Sequence, residues 1–215
     1  MKNARLQVNE ILDIMQQMFP HAKAELDHRN VYELTVAVIL SAQTTDISVN
    51  KVTPALFAKY PTVYDLAQAS LTDVQQLIKT IGLYKNKAHM IINMAKQVIE
   101  KYGGNIPNTK KQLLTLDGVG VKTANVILSV WFDQPAIAVD THVQRVSKRL
   151  KLAKAADDVL VVERKLKRKI KRSRWSHAHH LFIFFGRYHC KAINPLCASC
   201  PFINQCTYPK RKAAV

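Results

Sequence analysis

All four cysteines of the chain fall within seventeen residues near its C-terminus, spaced Cys190-x6-Cys197-x2-Cys200-x5-Cys206. So short and loop-rich a segment, with no acidic residue anywhere after Glu163, has no apolar core of its own. A metal centre can organise it, because ligand binding then supplies the folding free energy. Secreted disulfide frameworks distribute their cysteines over a whole domain; this pattern does not. Four thiolates fit a zinc site or a 4Fe-4S cluster. Zinc sites usually show two close pairs, and here only Cys197 and Cys200 are close. The uneven spacing suits a cluster better, with zinc and two disulfides as the alternatives. His189 reads as a neighbour of Cys190 rather than a ligand.

The remaining chain must supply the fold. With 215 residues, 48% of them hydrophobic, there is material for one domain or two small, closely packed ones. The periodicity is helical throughout. Ile11, Ile14, Met15 and Met18 form a stripe that Pro20 stops. Val31–Gln43 is mostly apolar and long enough for a core helix, with a strand as the competitor because of Val36, Val38 and Ile39. Ser70 opens a helix whose stripe, Leu71 to Ile81, ends at Gly82. Asn86–Tyr102 ends at Gly103-Gly104, Thr109 caps a short helix to Leu116, and Val121–Trp131 resumes the pattern until Pro135. Asp140 and Asp157-Asp158 offer fresh N-caps, and Trp175–Tyr188 is the last long apolar segment. No segment alternates as a strand does, so the expected class is all-α. The longest clean apolar runs, Val36–Leu40 and Leu181–Phe185, fall far short of the ~20 residues that span a bilayer. Met1 to Glu10 carries no apolar signal core. A cytoplasmic protein without a membrane partner is expected.

Charge is lopsided. Residues 1–140 hold 14 basic and 12 acidic side chains, whereas residues 141–215 hold 18 and 3. Most of the net +17 therefore sits in the last third, which points to a polyanionic partner, most simply nucleic acid. Eight Lys/Arg between Arg164 and Arg174 form the densest run, either a solvated helix face or a DNA contact.

Leu116-Asp-Gly-Val-Gly-Val-Lys-Thr-Ala-Asn125 joins two predicted helices. Gly118 and Gly120 permit positive φ and bare the backbone N–H groups, which at a helix N-terminus suit a phosphate oxygen. Val119 between them can pack inward. Such turns also arise for purely steric reasons. Lys122 stands in the first helical turn, where a cation opposes the helix dipole. There it is a phosphate contact or a functional amine, and partial burial would favour the neutral, nucleophilic form. Asp140, after the apolar stretch Ala136–Val139, is the matching carboxylate or an ordinary N-cap.

Taken together, Ser41-Ala-Gln-Thr-Thr-Asp46, Ile81-Gly-Leu-Tyr84, the Leu116–Asn125 turn, Val139-Asp-Thr-His142 and the cysteine spacing resemble the endonuclease III branch of the helix-hairpin-helix DNA glycosylases. The resemblance covers nearly the whole chain. It implies an all-α, two-lobed fold. Residues 24–134 would form a six-helix barrel lobe with the hairpin, and residues 1–23 plus 135–215 a lobe holding a 4Fe-4S cluster on the four cysteines. It implies a monomer that binds double-stranded DNA across the cleft between lobes and flips the damaged nucleotide out of the stack. Gln43 and Leu83 match the positions that fill the vacated space; read without the resemblance, they are a buried amide and a core leucine. The family often has proline where this chain has Asp117, so a slightly looser turn is expected.

The implied activity is that of a bifunctional DNA N-glycosylase and abasic-site lyase of base-excision repair, acting on oxidised pyrimidines. Lys122 would attack C1′ and form a Schiff base, and Asp140 would stabilise the developing positive charge. Gly118, Val119 and Gly120 would grip the DNA backbone. The rivals are a mispair-specific glycosylase without lyase activity, which the presence of Lys122 disfavours, and a non-catalytic DNA-binding module with a zinc tail. His142 is either near the pocket or a helix residue behind it. Association with the nucleoid is expected of a bacterial member.

Overall fold

The computed structural model describes residues 6–208. The chain divides into two compact units, with boundaries between Ala24 and Glu25 and between Gln134 and Pro135. Helix α1 (Val8–Met18) precedes the middle unit, which contains α2 (Val31–Leu40), α3 (Asp46–Lys59), α4 (Val63–Ala67), α5 (Leu71–Leu77), α6 (Tyr84–Tyr102), α7 (Lys110–Leu113) and α8 (Val121–Val130). The chain then returns to the first unit with α9 (Thr141–Arg149), α10 (Val159–Lys169) and α11 (Trp175–Phe184). No strand occurs among the described residues. No described helix is long and apolar enough to cross a membrane.

In the middle unit α2 is the central helix. Asn30 caps it by accepting from the Glu33 N–H at 2.9 Å, and every residue from Tyr32 to Leu40 is buried. Burial on all sides explains why its sequence shows no polar face, and helix prevails over the strand alternative. Helices α6 and α8 pack against it, and α4 and α5 flank α6. Two helices, α3 and α4, have no counterpart in the sequence expectations. Helix α3 continues through Pro54 and buries Val49, Val52, Leu56 and Phe57 on one face, so tertiary burial outweighs the missing backbone bond. Helix α5 stops at Leu77, short of the expected Ile81; Ile78 and Ile81 stay buried in the following turn.

The other unit is built on α1, whose Ile11, Leu12 and Met15 share a core with Val143 and Val146 of α9, Leu166 of α10, and Phe182 and Phe185. A capping box at Gln7 and Glu10 starts α1. The last apolar segment is not one uniform helix. After α11 it widens into a π-helical turn, Phe185–His189, where Gly186 meets α9: a Cβ there would lie 2.8 Å from the His142 Cβ. Such turns are rare and often mark functional sites.

Candidate active site and cysteine centre

The hairpin of α7 and α8 is held from below. Leu116 and Val119 are buried, and the Val119 N–H donates to the Leu116 carbonyl at 3.1 Å. Val119 thus anchors the turn through packing and a turn bond, and its N–H is engaged within the protein. Gly118 has φ +74°, and a Cβ there would sit 2.9 Å from Ile39 Cγ2. Gly120 differs. Its φ is −86°, it is the N-cap of α8, and no atom lies within 4 Å of where its Cβ would be. Helix α8 begins without a side-chain cap, so its first amides rely on solvent or a ligand.

Asp117 does not loosen this turn. Its N–H donates to Gln97 Oε1 at 2.8 Å, and its carboxylate accepts from Asn93 Nδ2 at 3.0 Å. Both partners belong to α6, so aspartate ties the hairpin to that helix, whereas proline would lack the N–H.

Lys122 is the second residue of α8 and is exposed. Burial therefore adds nothing to the helix dipole in favouring its neutral form. Among the described residues it makes no hydrogen bond or ion pair, so none of them competes for its amine.

Gln43 and Leu83, in the same unit, are neither a buried amide nor a core leucine. Gln43 is exposed and Leu83 is 55% exposed. Both carry left-handed backbone, φ 53° and 58°, a conformation that costs non-glycine residues about 1–2 kcal/mol each. The glycine beside Leu83 does not take the left-handed conformation; Leu83 itself does. Lys87, which no motif singles out, touches both segments: its N–H donates to the Leu83 carbonyl at 3.0 Å, and its side chain reaches Thr44, next to Gln43. It is 2% exposed, its Nζ donates to Thr44 Oγ1 at 2.7 Å, and burial lowers its pKa. Its contact joins segments 43 residues apart, so no local pattern announces it.

In the other unit, the buried run Ala136–Val139 delivers Asp140 to the N-cap of α9, where its Oδ1 accepts from the Val143 N–H at 2.8 Å. The carboxylate is half-buried, with one oxygen committed to the cap. His142 lies in the first turn of the same helix, its Nδ1 3.2 Å from Arg145 Nη2. Arg145 also donates to the carbonyls of Gly186 (2.7 Å) and Cys190 (3.1 Å). One turn on, Arg149 donates to Cys190 Sγ (3.3 Å) and to the Lys191 carbonyl (2.8 Å). These two arginines, part of the basic excess, hold the start of the cysteine segment.

Cys190, Cys197, Cys200 and Cys206 are unpaired thiols that line one cavity, together with Arg149, His189 and Leu196. Burial pushes the Cys200 thiol up to about 11, and charge on each of the other three cysteines adds to that, a sign of their mutual proximity. Among the described residues no three His, Cys, Asp or Glu side chains converge closely enough for a single ion. Four sulfurs around a shared space, with N–H donors at Cys190 (Arg149) and Cys206 (Tyr208, 3.4 Å), are a donor set of the kind that holds a thiolate-ligated metal group.

Known proteins agree with this geometry. Residues 36–172 match the HhH-GPD superfamily base excision DNA repair protein family. The chain is 54% identical over 200 residues to endonuclease III of Bacillus subtilis (strain 168), covering 93% of this chain and 91% of the relative. It is 40% identical over 202 residues to endonuclease III of Escherichia coli (strain K12), covering 94% and 95%. Two solved structures at 50% identity, a trapped endonuclease III–DNA covalent intermediate and a non-covalent endonuclease III–DNA complex, superpose with a TM-score of 0.94. They cover 98% of this chain, and this chain covers 99% and 98% of them, respectively. A chain with this hairpin, this cysteine centre and these relatives belongs to the HhH-GPD superfamily of base excision DNA repair proteins, in its endonuclease III branch.

Proposed function

We propose that the protein excises oxidised pyrimidines from duplex DNA and cleaves the resulting abasic site, with Lys122 as nucleophile and Asp140 as its acid–base and electrostatic partner. The observation that carries this is the exposed, unpartnered amine of Lys122 at the uncapped start of α8. The Nζ lone pair forms a bond to C1′ while the C1′–N bond to the damaged base breaks, and the base leaves with that electron pair and gains a proton. Asp140 stabilises the positive charge at C1′ and accepts a proton from the attacking amine. Opening of the sugar ring leaves an iminium, which acidifies the 2′ proton. Its removal expels the 3′ phosphate oxygen and cuts the strand 3′ to the lesion. The Val143 N–H on Oδ1 fixes the rotamer of Asp140 and leaves the second oxygen for chemistry.

The open space at Gly120 supports close approach of a DNA phosphate to the start of α8, with Gly118 giving the turn its shape. The strained, exposed Gln43 and Leu83 support the filling of the space that the flipped nucleotide vacates. The four cysteines would hold a 4Fe-4S cluster, which when bound cross-links the tail into a folded structure. The protein would act as a monomer in the cytoplasm.

Borohydride added during reaction with abasic-site DNA should trap a covalent adduct through Lys122. Lys122→Ala should abolish trapping and leave DNA affinity within a few-fold of wild type. An untrapped wild-type protein, or a trapped Lys122→Ala variant, overturns the assignment.

A further inference from the structure

The eight cations between Arg164 and Arg174 do not share one environment. Lys167 is engaged by Glu163 at 2.5 Å and lies over the Trp175 ring, and Arg174 pairs with Asp13 at 2.7 Å. Lys165, Arg168 and Lys169 instead line a surface concavity of about 880 Å³, opposite Lys148, Lys151 and Lys154 from the end of α9 and the turn beyond it. No carboxylate is among the described residues that line it. Asp157, beside the groove, pairs with Lys165 at 2.5 Å and accepts from the Lys154 N–H at 2.6 Å, which leaves Lys148, Lys151, Arg168 and Lys169 as cations of the lining outside that pairing. Leu152 and Ala153, both buried, and the exposed Ala155 give it an aliphatic part, and Thr207, whose N–H donates to the Arg149 carbonyl at 2.8 Å, lines it too.

We propose that this groove binds the phosphodiester backbone of duplex DNA on the flank of the lesion, independently of sequence. A sugar-phosphate strand alternates anionic phosphates with apolar deoxyribose faces, which a cationic lining with an aliphatic part complements. The groove's place at the far end of α9 from Asp140 puts it within reach of the flank of a duplex engaged at Asp140. Asp140 caps one end of α9 and Lys148 lies at the other. Nine residues at the helical rise span about 13 Å, the rise of about four base pairs. The proposal rests on the reading that Asp140 meets the damaged nucleotide.

The test compares equilibrium binding to two duplexes that carry a tetrahydrofuran abasic-site analogue. One extends about a helical turn on each side, and the other is hairpin-capped and ends about three base pairs from the analogue, short of the groove's reach. The triple variant Lys154→Gln, Arg168→Gln, Lys169→Gln should bind the long duplex about tenfold more weakly at physiological salt. Its log–log salt slope should fall by about 2–3, one per lost phosphate contact. Affinity for the capped duplex should not change. The variant Arg164→Gln, Lys171→Gln, Arg172→Gln removes the same charge from the same run outside the groove and should bind both duplexes as wild type does. An equal loss in that control assigns the effect to net charge and overturns the proposal. So does an equal loss on both duplexes, or no loss at all. Loss of binding to a poly-glutamate peptide with long-duplex affinity intact would assign the groove to an acidic protein segment and equally overturn it. In each of these cases borohydride trapping through Lys122 remains a separate readout, so the catalytic reading stands or falls independently.

Discussion

At Gly118 the protein itself demands glycine, because the backbone is left-handed and the Ile39 side chain fills the place a Cβ would take. At Gly120 the protein demands nothing: the backbone is ordinary and the space is open. Gly118→Ala should therefore destabilise the fold by about 1–3 kcal/mol, read from urea unfolding. Gly120→Ala should leave stability within about 0.5 kcal/mol of wild type and weaken DNA binding instead. If Gly120→Ala unfolds the protein and spares affinity, the assignment of that opening to a phosphate is wrong. The sequence shows both glycines but not this division, which depends on Ile39 arriving from another helix. The same holds for Leu83: its letter suggests core, and only the three-dimensional turn shows it standing in solvent.

Elements were legible where a cap and a stripe coincide, as at Asn86–Tyr102 and in the helix that Asp140 starts. They were hidden where one signal contradicts another. Helix α3 has a capping threonine, Thr45, but its apolar residues do not keep to one face, since Ile47 is exposed, and Pro54 in its middle argues against a helix. Helix α11 is regular in pattern but carries an unusual passenger. Burial, then the charge of His177, pushes His180 down to about 4 from 6.5. Its folded pKa lies below its unfolded one, so between those values the unfolded chain binds the extra proton. Stability contributed by this site is complete above about pH 6.5 and is lost as pH falls towards about 4, by about 3 kcal/mol in all. His180→Leu should remove that component. The gap in urea midpoint between variant and wild type should move in the variant's favour on acidification, and a gap constant with pH would contradict the assignment.

Over the whole molecule, the charge asymmetry and the division into units nearly coincide. The unit containing the cysteines carries +15, and Glu25–Gln134 carries only +2. That partition is legible from the sequence because charge and cysteine spacing survive without coordinates. The inward turn of Arg145 and Arg149 is not, since each reaches across more than 40 residues of chain. Removal of the proposed iron-sulfur group, by Cys200→Ser or by oxidation and chelation, should abolish the broad visible absorption that such a group gives and lower the melting temperature by several degrees. Amide exchange should rise in residues 135–208 and not in residues 25–134, which hold none of the four cysteines. Equal acceleration in both stretches would rule out a role confined to one unit.

The solitary state of the Lys122 amine has a cost outside DNA repair. As the proposed nucleophile, an amine left open to solvent is also open to the small keto-aldehydes of metabolism. Bound DNA would shelter it on that reading, and the idle molecules, those between lesions, would be the ones that glycation disarms.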